Sequence, residues 1–230
     1  MSELYLVRHA QASFGAANYD QLSGLGHQQS RWLGEHLGNR GINFDTLVVG
    51  DMNRHHQTLD GICVGMGIDG SDRLVLPGLN EYSFTEMTEA YGLTYGDDPL
   101  YQQIAADPSD QKNYYRLLRK VLTVWTQDGI PDVPETWVDF KTRVNDSQQR
   151  IQAMADSGKS ILAIGSGGSI STFVGLVLGI PDEKIFDLNL QYKNTAISHF
   201  FFNARKMNLS GFNGVPHLDT NKMEEFITYG

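Results

Sequence analysis

Leu4-Tyr5-Leu6-Val7-Arg8-His9 is the stretch on which the fold turns. An apolar run of strand length stops abruptly at two cationic or cationisable side chains. The run is too short for the core of a secretory leader. The same device recurs along the chain. Residues 44–49 read as a strand leading into a helix over 54–64, with Asn53 or Asp51 as its cap. Residues 160–164 read as a strand that enters Gly165-Ser166-Gly167-Gly168 and then a helix over 170–178. Between these lie a helix over 28–37, a short strand over 74–76 and a long helix over 137–157; strands over 195–202 and 207–212 close the chain. Strands alternating with helices predict an α/β fold of three layers, α/β/α, with a mostly parallel sheet and helices on both faces. Residues 84–134, rich in Tyr, Gln and Asp, break the alternation and read as a helical insertion over one end of the sheet, within one domain spanning 1–230. Such sheets bind ligands beyond the carboxyl ends of their strands.

Composition narrows the function. With 40% hydrophobic and 20% charged residues, the 230-residue chain can build a core and is not disordered. A net charge of −9 argues against nucleic-acid partners, although a pocket can be locally positive on an acidic protein. Cys63 is the only cysteine, so no intramolecular disulfide forms and a cysteine-based zinc site is not expected. No run of about 18 apolar residues occurs, so no membrane partner is expected and the cytoplasm is the expected location.

The chemistry sits where strands end. An imidazole at His9 can attack phosphorus or act as a base, and the neighbouring Arg8 can hold phosphoryl oxygens bidentately. Arg54 falls at a helix start, where free N–H groups and the helix dipole favour phosphate; a solvated Arg is the alternative. His55 and His56, about 100° apart on that helix, do not chelate one metal well. The turn 165–168 offers either an anion nest or tight strand–helix packing. Glu81, in Leu79-Asn80-Glu81, is a candidate proton donor or a plain surface acid.

These segments, in this order, resemble the phosphoglycerate mutase-like, or histidine phosphatase, superfamily. The opening Leu-Val-Arg8-His9-Ala10 is similar to the family's strand and Arg-His-Gly. Leu22-Ser23-Gly-Leu-Gly26-His-Gln-Gln29, Arg54-His-His-Gln57-Thr58, Leu79-Asn80-Glu81, Trp137-x-x-Phe140-x-x-Arg143-Val144 and Phe212-Asn213-x-x-x-His217-Leu218 resemble its later segments. The resemblance implies a metal-independent, cofactor-free phosphatase acting on a small phosphorylated substrate. His9 becomes the phosphorylated nucleophile, Arg8 and Arg54 the clamp, and Glu81 the proton donor, while Ser166 and Gly167 complete substrate binding. The family's second catalytic histidine falls at Ser166. A serine donates a hydrogen bond but carries no charge, which implies reduced activity. Ala10 in place of glycine matters only if the backbone there needs positive φ, and Asp51 weakens anion binding only if it points inward. The alternatives are a non-catalytic relative that binds a phosphorylated ligand or a protein, and, less favoured, a phosphoglycerate mutase. The substrate stays open, with Tyr82, Tyr91, Tyr95, Tyr101 and Trp125 available to contact it, although such aromatics more often pack in a core, and the oligomeric state stays open too.

Overall fold

The computed structural model describes residues 1–13, 20–108, 110–156, 158–220 and 222–229. Part of the polar stretch after His9, and the expected end of the long helix at 157, lie outside them. Six strands form one sheet: β1 (Ser2–Arg8), β2 (Thr46–Val49), β3 (Leu74–Val75), β4 (Ser160–Gly165), β5 (Ile197–Phe202) and β6 (Met207–Gly214), in the order β3-β2-β4-β1-β5-β6. The first four are mutually parallel, whereas β5 runs antiparallel to both β1 and β6. The sheet is therefore mixed, with a parallel majority.

Alternation along the central strands divides the core in two. Val7, Leu47, Val49, Leu162 and Ile164 pack on one face with Leu33, Leu37, Leu59, Ile62 and Cys63 from α1 (Gly24–Asn39) and α2 (Asn53–Met66). Leu4, Leu6, Val48, Ile161 and Ala163 face the other way, into the larger cluster. That cluster holds the remaining helices: α3 (Phe84–Tyr95), α4 (Pro99–Ala106), α5 (Gln111–Thr126), α6 (Trp137–Ala153), α7 (Gly167–Leu178) and α8 (Asp182–Asn189). At its centre Trp125, Trp137, Phe140, Phe186 and Tyr82 pack at edge-to-face and tilted angles.

Three local expectations need correction. The helix after β4 starts at Gly167, so the glycine turn is its first turn rather than a loop before it. Neither Asn53 nor Asp51 caps α2: the cap position is Met52, which makes no side-chain bond. The Asp20 carboxylate takes that role, accepting from the backbone N–H of Asn53 at 2.8 Å and of Arg54 at 3.3 Å. Helix α8, eight residues entered from Pro181, was not anticipated.

Candidate active site

β1 delivers Arg8 and His9 to the rim of the sheet, and the backbone there is fixed on all sides. His9 N–H donates to the Gly165 carbonyl at 2.9 Å, and Asn194 Nδ2 donates to the His9 carbonyl at 3.1 Å. Ala10 N–H donates to Thr58 Oγ1 at 3.0 Å, and Thr58 donates in turn to the Arg54 carbonyl at 2.7 Å. Gln29 Oε1 accepts from Gln11 N–H at 3.0 Å, and Gln57 Oε1 accepts from Leu22 N–H at 2.8 Å. The polar residues of the two helical motifs thus staple the loop carrying His9 to α1 and α2. Ala10 has no positive φ, so glycine is not required there.

A cavity of about 490 Å³ opens over His9, with Arg8, Arg54 and Glu81 also in its wall. Four of the six expected site residues therefore converge. His9 Nδ1 lies 2.8 Å from its neighbour's carbonyl, Ala10 O, which can only accept. The neutral ring then carries its proton on Nδ1 and keeps a lone pair on Nε2, to which Arg54 Nε donates at 3.2 Å. Burial holds the His9 pKa well below its ordinary value, and Arg54, Arg8 and His55 push it the same way. Arg8 Nη1 donates to the carbonyls of Tyr192 and, at 2.6 Å, Tyr229. Arg54 Nη1 pairs with Asp20 Oδ1 at 3.0 Å.

Glu81 meets the N-terminus of α7. Both carboxylate oxygens lie 3.1 Å from Gly168 N–H. A Cβ at Gly168 would fall 2.2 Å from Glu81 Oε1, so only glycine permits this approach. Arg143 holds the segment from behind, donating to the carbonyls of Gly78, Asn80 and Glu81 while its guanidinium lies 4.4 Å over the Phe140 ring. This accounts physically for the Phe140-x-x-Arg143 spacing, which places both side chains on one face of α6.

Ser166 and Gly167 stand apart from the other four, because neither lines the cavity. Ser166 is fully buried, and its hydroxyl shares a 2.7 Å hydrogen bond with His55 Nε2. His55 is fully buried too, with its ring centroid 5.7 Å from that of His9. Its Nδ1 faces Gly50 so closely that a Cβ there would lie 2.3 Å away, although no well-aligned hydrogen bond forms. Burial holds the His55 pKa well below its ordinary value, with Arg54 and His56 adding to the effect. The sequence left His55 unassigned; its signal was that it follows the clamp arginine directly. Asp51, suspected of opposing anions, is exposed and outside the cavity, and it is Asp20 that reaches Arg54. Among the described residues no three His, Cys, Asp or Glu side chains group as metal ligands, and no helix is long and apolar enough to cross a membrane.

The model of the histidine phosphatase superfamily (branch 1) matches residues 4–214. The chain belongs to this superfamily. Solved structures agree on the fold. A phosphoglycerate mutase from Bacillus anthracis superposes with a TM-score of 0.68 at 18% identity, covering 94% of each chain. An alpha-ribazole phosphatase from Shigella flexneri gives 0.63 at 20% identity, over 93% of this chain and 96% of its own. A phosphoserine phosphatase from Entamoeba histolytica, in complex with 3-phosphoglyceric acid, gives 0.64 at 20% identity, over 95% of this chain and 100% of its own. No curated protein matches.

Buried imidazoles make this histidine phosphatase fold acid-sensitive. Unfolded, His9, His55 and His217 each protonate near pH ~6.5. In the fold all three are held lower, His217 at about 3 through burial and then His36. Below pH ~6.5 the unfolded chain therefore binds protons that the folded chain refuses, and stability falls as pH falls. At pH ~5 His217 kept neutral costs about 2 kcal/mol relative to neutral pH, and His9 and His55 act in the same direction. Urea midpoints at pH ~7.5 and ~5 test this. The midpoint is expected to drop at the lower pH, and to drop less in His217→Gln; equal midpoints would contradict it.

Proposed function

We propose that this protein is a metal-independent phosphomonoester hydrolase working through a phosphohistidine at His9. The observation that carries this reading is the buried neutral imidazole, with the Nε2 lone pair beside Arg54 in a cavity that Arg8 also lines. Arg54 turns its donors from Nε2 and Asp20 to the phosphoryl oxygens, Arg8 takes the others, and the lone pair is released. Nε2 attacks phosphorus as the bond to the leaving oxygen breaks, and a proton reaches that oxygen through the Glu81 carboxyl, the acid in the cavity wall. Glu81, now a carboxylate, deprotonates water. The water oxygen attacks the phosphohistidine, the P–N bond breaks, and phosphate leaves with His9 restored. Hydrolysis of p-nitrophenyl phosphate in excess EDTA tests the reading: turnover that persists is expected, and turnover abolished by EDTA but restored by a divalent cation would overturn it.

His55 is a positioning residue in this scheme. Where the family carries a histidine this chain has Ser166, and His55 brings an imidazole within 2.7 Å of that hydroxyl. His55→Ala is expected to lower kcat about a hundredfold with little change in KM. The double variant His55→Ala/Ser166→His, which moves the imidazole across the pair, recovers most of the loss. A double variant no better than the single one would contradict this role.

A second reading, a phosphate-binding relative without turnover, is favoured by the contacts that occupy the clamp, Asp20 on Arg54 and the Tyr229 carbonyl on Arg8. Phosphate binding without hydrolysis of any monoester would select it.

A further inference from the structure

Beyond its phosphoryl end, the cavity changes character. Its outer wall is built from Phe84, Tyr114, Tyr115, Leu118, Leu190 and Tyr229. The guanidiniums in the lining are Arg8 and Arg54, both at the phosphoryl end, and the remaining charged side chain is the acidic Glu81. Ser83 and Thr85 add only neutral hydroxyls.

From this division we infer that the leaving group of the substrate is an aromatic or similarly apolar alcohol without a second anionic group. The inference rests on the phosphomonoester reading above and adds the substrate class. A carboxylate or second phosphate on the leaving group would give up its water against aromatic faces and Glu81, with no further cation among the described lining residues to receive it. A flat apolar group meets the opposite situation. Phe84 and Tyr114 stand edge-to-face at 5.5 Å, and Tyr114 and Tyr115 likewise at 5.9 Å, so three adjoining aromatic side chains make this part of the wall. Tyr115 and Tyr229 are 51% and 53% exposed, so they have apolar surface to bury when the site fills. The cavity volume of about 490 Å³ accommodates a phosphoryl group together with one ring system. Four of the six outer-wall residues come from α3 and α5 and none from the sheet, so the helical 84–126 segment contributes most to this preference.

The experiment compares two phosphonates, neither of which can be hydrolysed, by calorimetry on the full chain: benzylphosphonate and phosphonoacetate. Benzylphosphonate is expected to bind at least about tenfold more tightly. Phe84→Ala/Tyr114→Ala is expected to shrink that ratio towards one. Equal affinities, a preference for phosphonoacetate, or no binding of either compound would overturn the inference, as would an unchanged ratio in the double variant. Because binding needs no turnover, the two readings fail separately. A protein that hydrolyses monoesters but prefers phosphonoacetate loses only the substrate class, and one that prefers benzylphosphonate but hydrolyses nothing loses only the hydrolase.

Discussion

His9→Ala is expected to lower kcat/KM by a factor on the order of 10⁴ or more, with the fold intact. No other imidazole replaces it. His55, the nearest by ring centroid at 5.7 Å, is fully buried, outside the cavity lining and bonded to Ser166. The variant keeps Arg8 and Arg54, so inorganic phosphate still binds while turnover is lost. That separation distinguishes removal of a nucleophile from collapse of the pocket. The variant also lacks one buried imidazole that resists protonation, so its stability declines less on acidification than that of the parent. Retention of parental turnover on p-nitrophenyl phosphate would remove His9 from the chemistry.

Arg54→Ala is expected to cost about 10²–10³ in kcat/KM, the usual loss when a preorganised donor to a charged transition state is removed. The pH profile carries a second signature. After burial, Arg54 is the largest influence holding the His9 pKa down. Without that charge the imidazole protonates more readily, so the acid limb of kcat/KM moves to higher pH. Arg54→Lys restores the charge without the planar fork, and it returns the limb towards its parental position while recovering only part of the rate. An Arg54→Ala variant with parental rate and profile would show that Arg54 serves only as the partner of Asp20.

The central strands were legible because an apolar run stops abruptly, as at Val7-Arg8 and Ile164-Gly165. Strand direction was not: β5 carries the same pattern as a parallel strand, and its reversal depends on the connection from α8. The clamp was legible because Arg8, His9 and Arg54 sit at strand or helix boundaries, where a side chain is presented at the sheet rim. What completes the site depends on distant packing. His55 and His56 look alike in sequence, and only helical phase turns His55 inward to Ser166 while His56 stays partly accessible. Asp20 lies in irregular sequence, where no periodicity tells which helix its carboxylate will cap. Of the aromatics offered as contacts, Tyr82 lines the cavity, whereas others fill the packing role that was the alternative. Tyr91 and Trp125 are buried in the core, and Phe84, Tyr114 and Tyr115 join the cavity wall, because the phases of α3 and α5 decide which aromatics face the site.

The most direct test of the account is rapid-quench mass spectrometry of the enzyme mixed with excess p-nitrophenyl phosphate. A phosphoryl group that is labile in acid and stable in alkali, located on the peptide carrying His9 and absent from His9→Ala, is the predicted result. A phosphoryl group on another residue, or monoester turnover with no phosphoenzyme at any quench time, would contradict it.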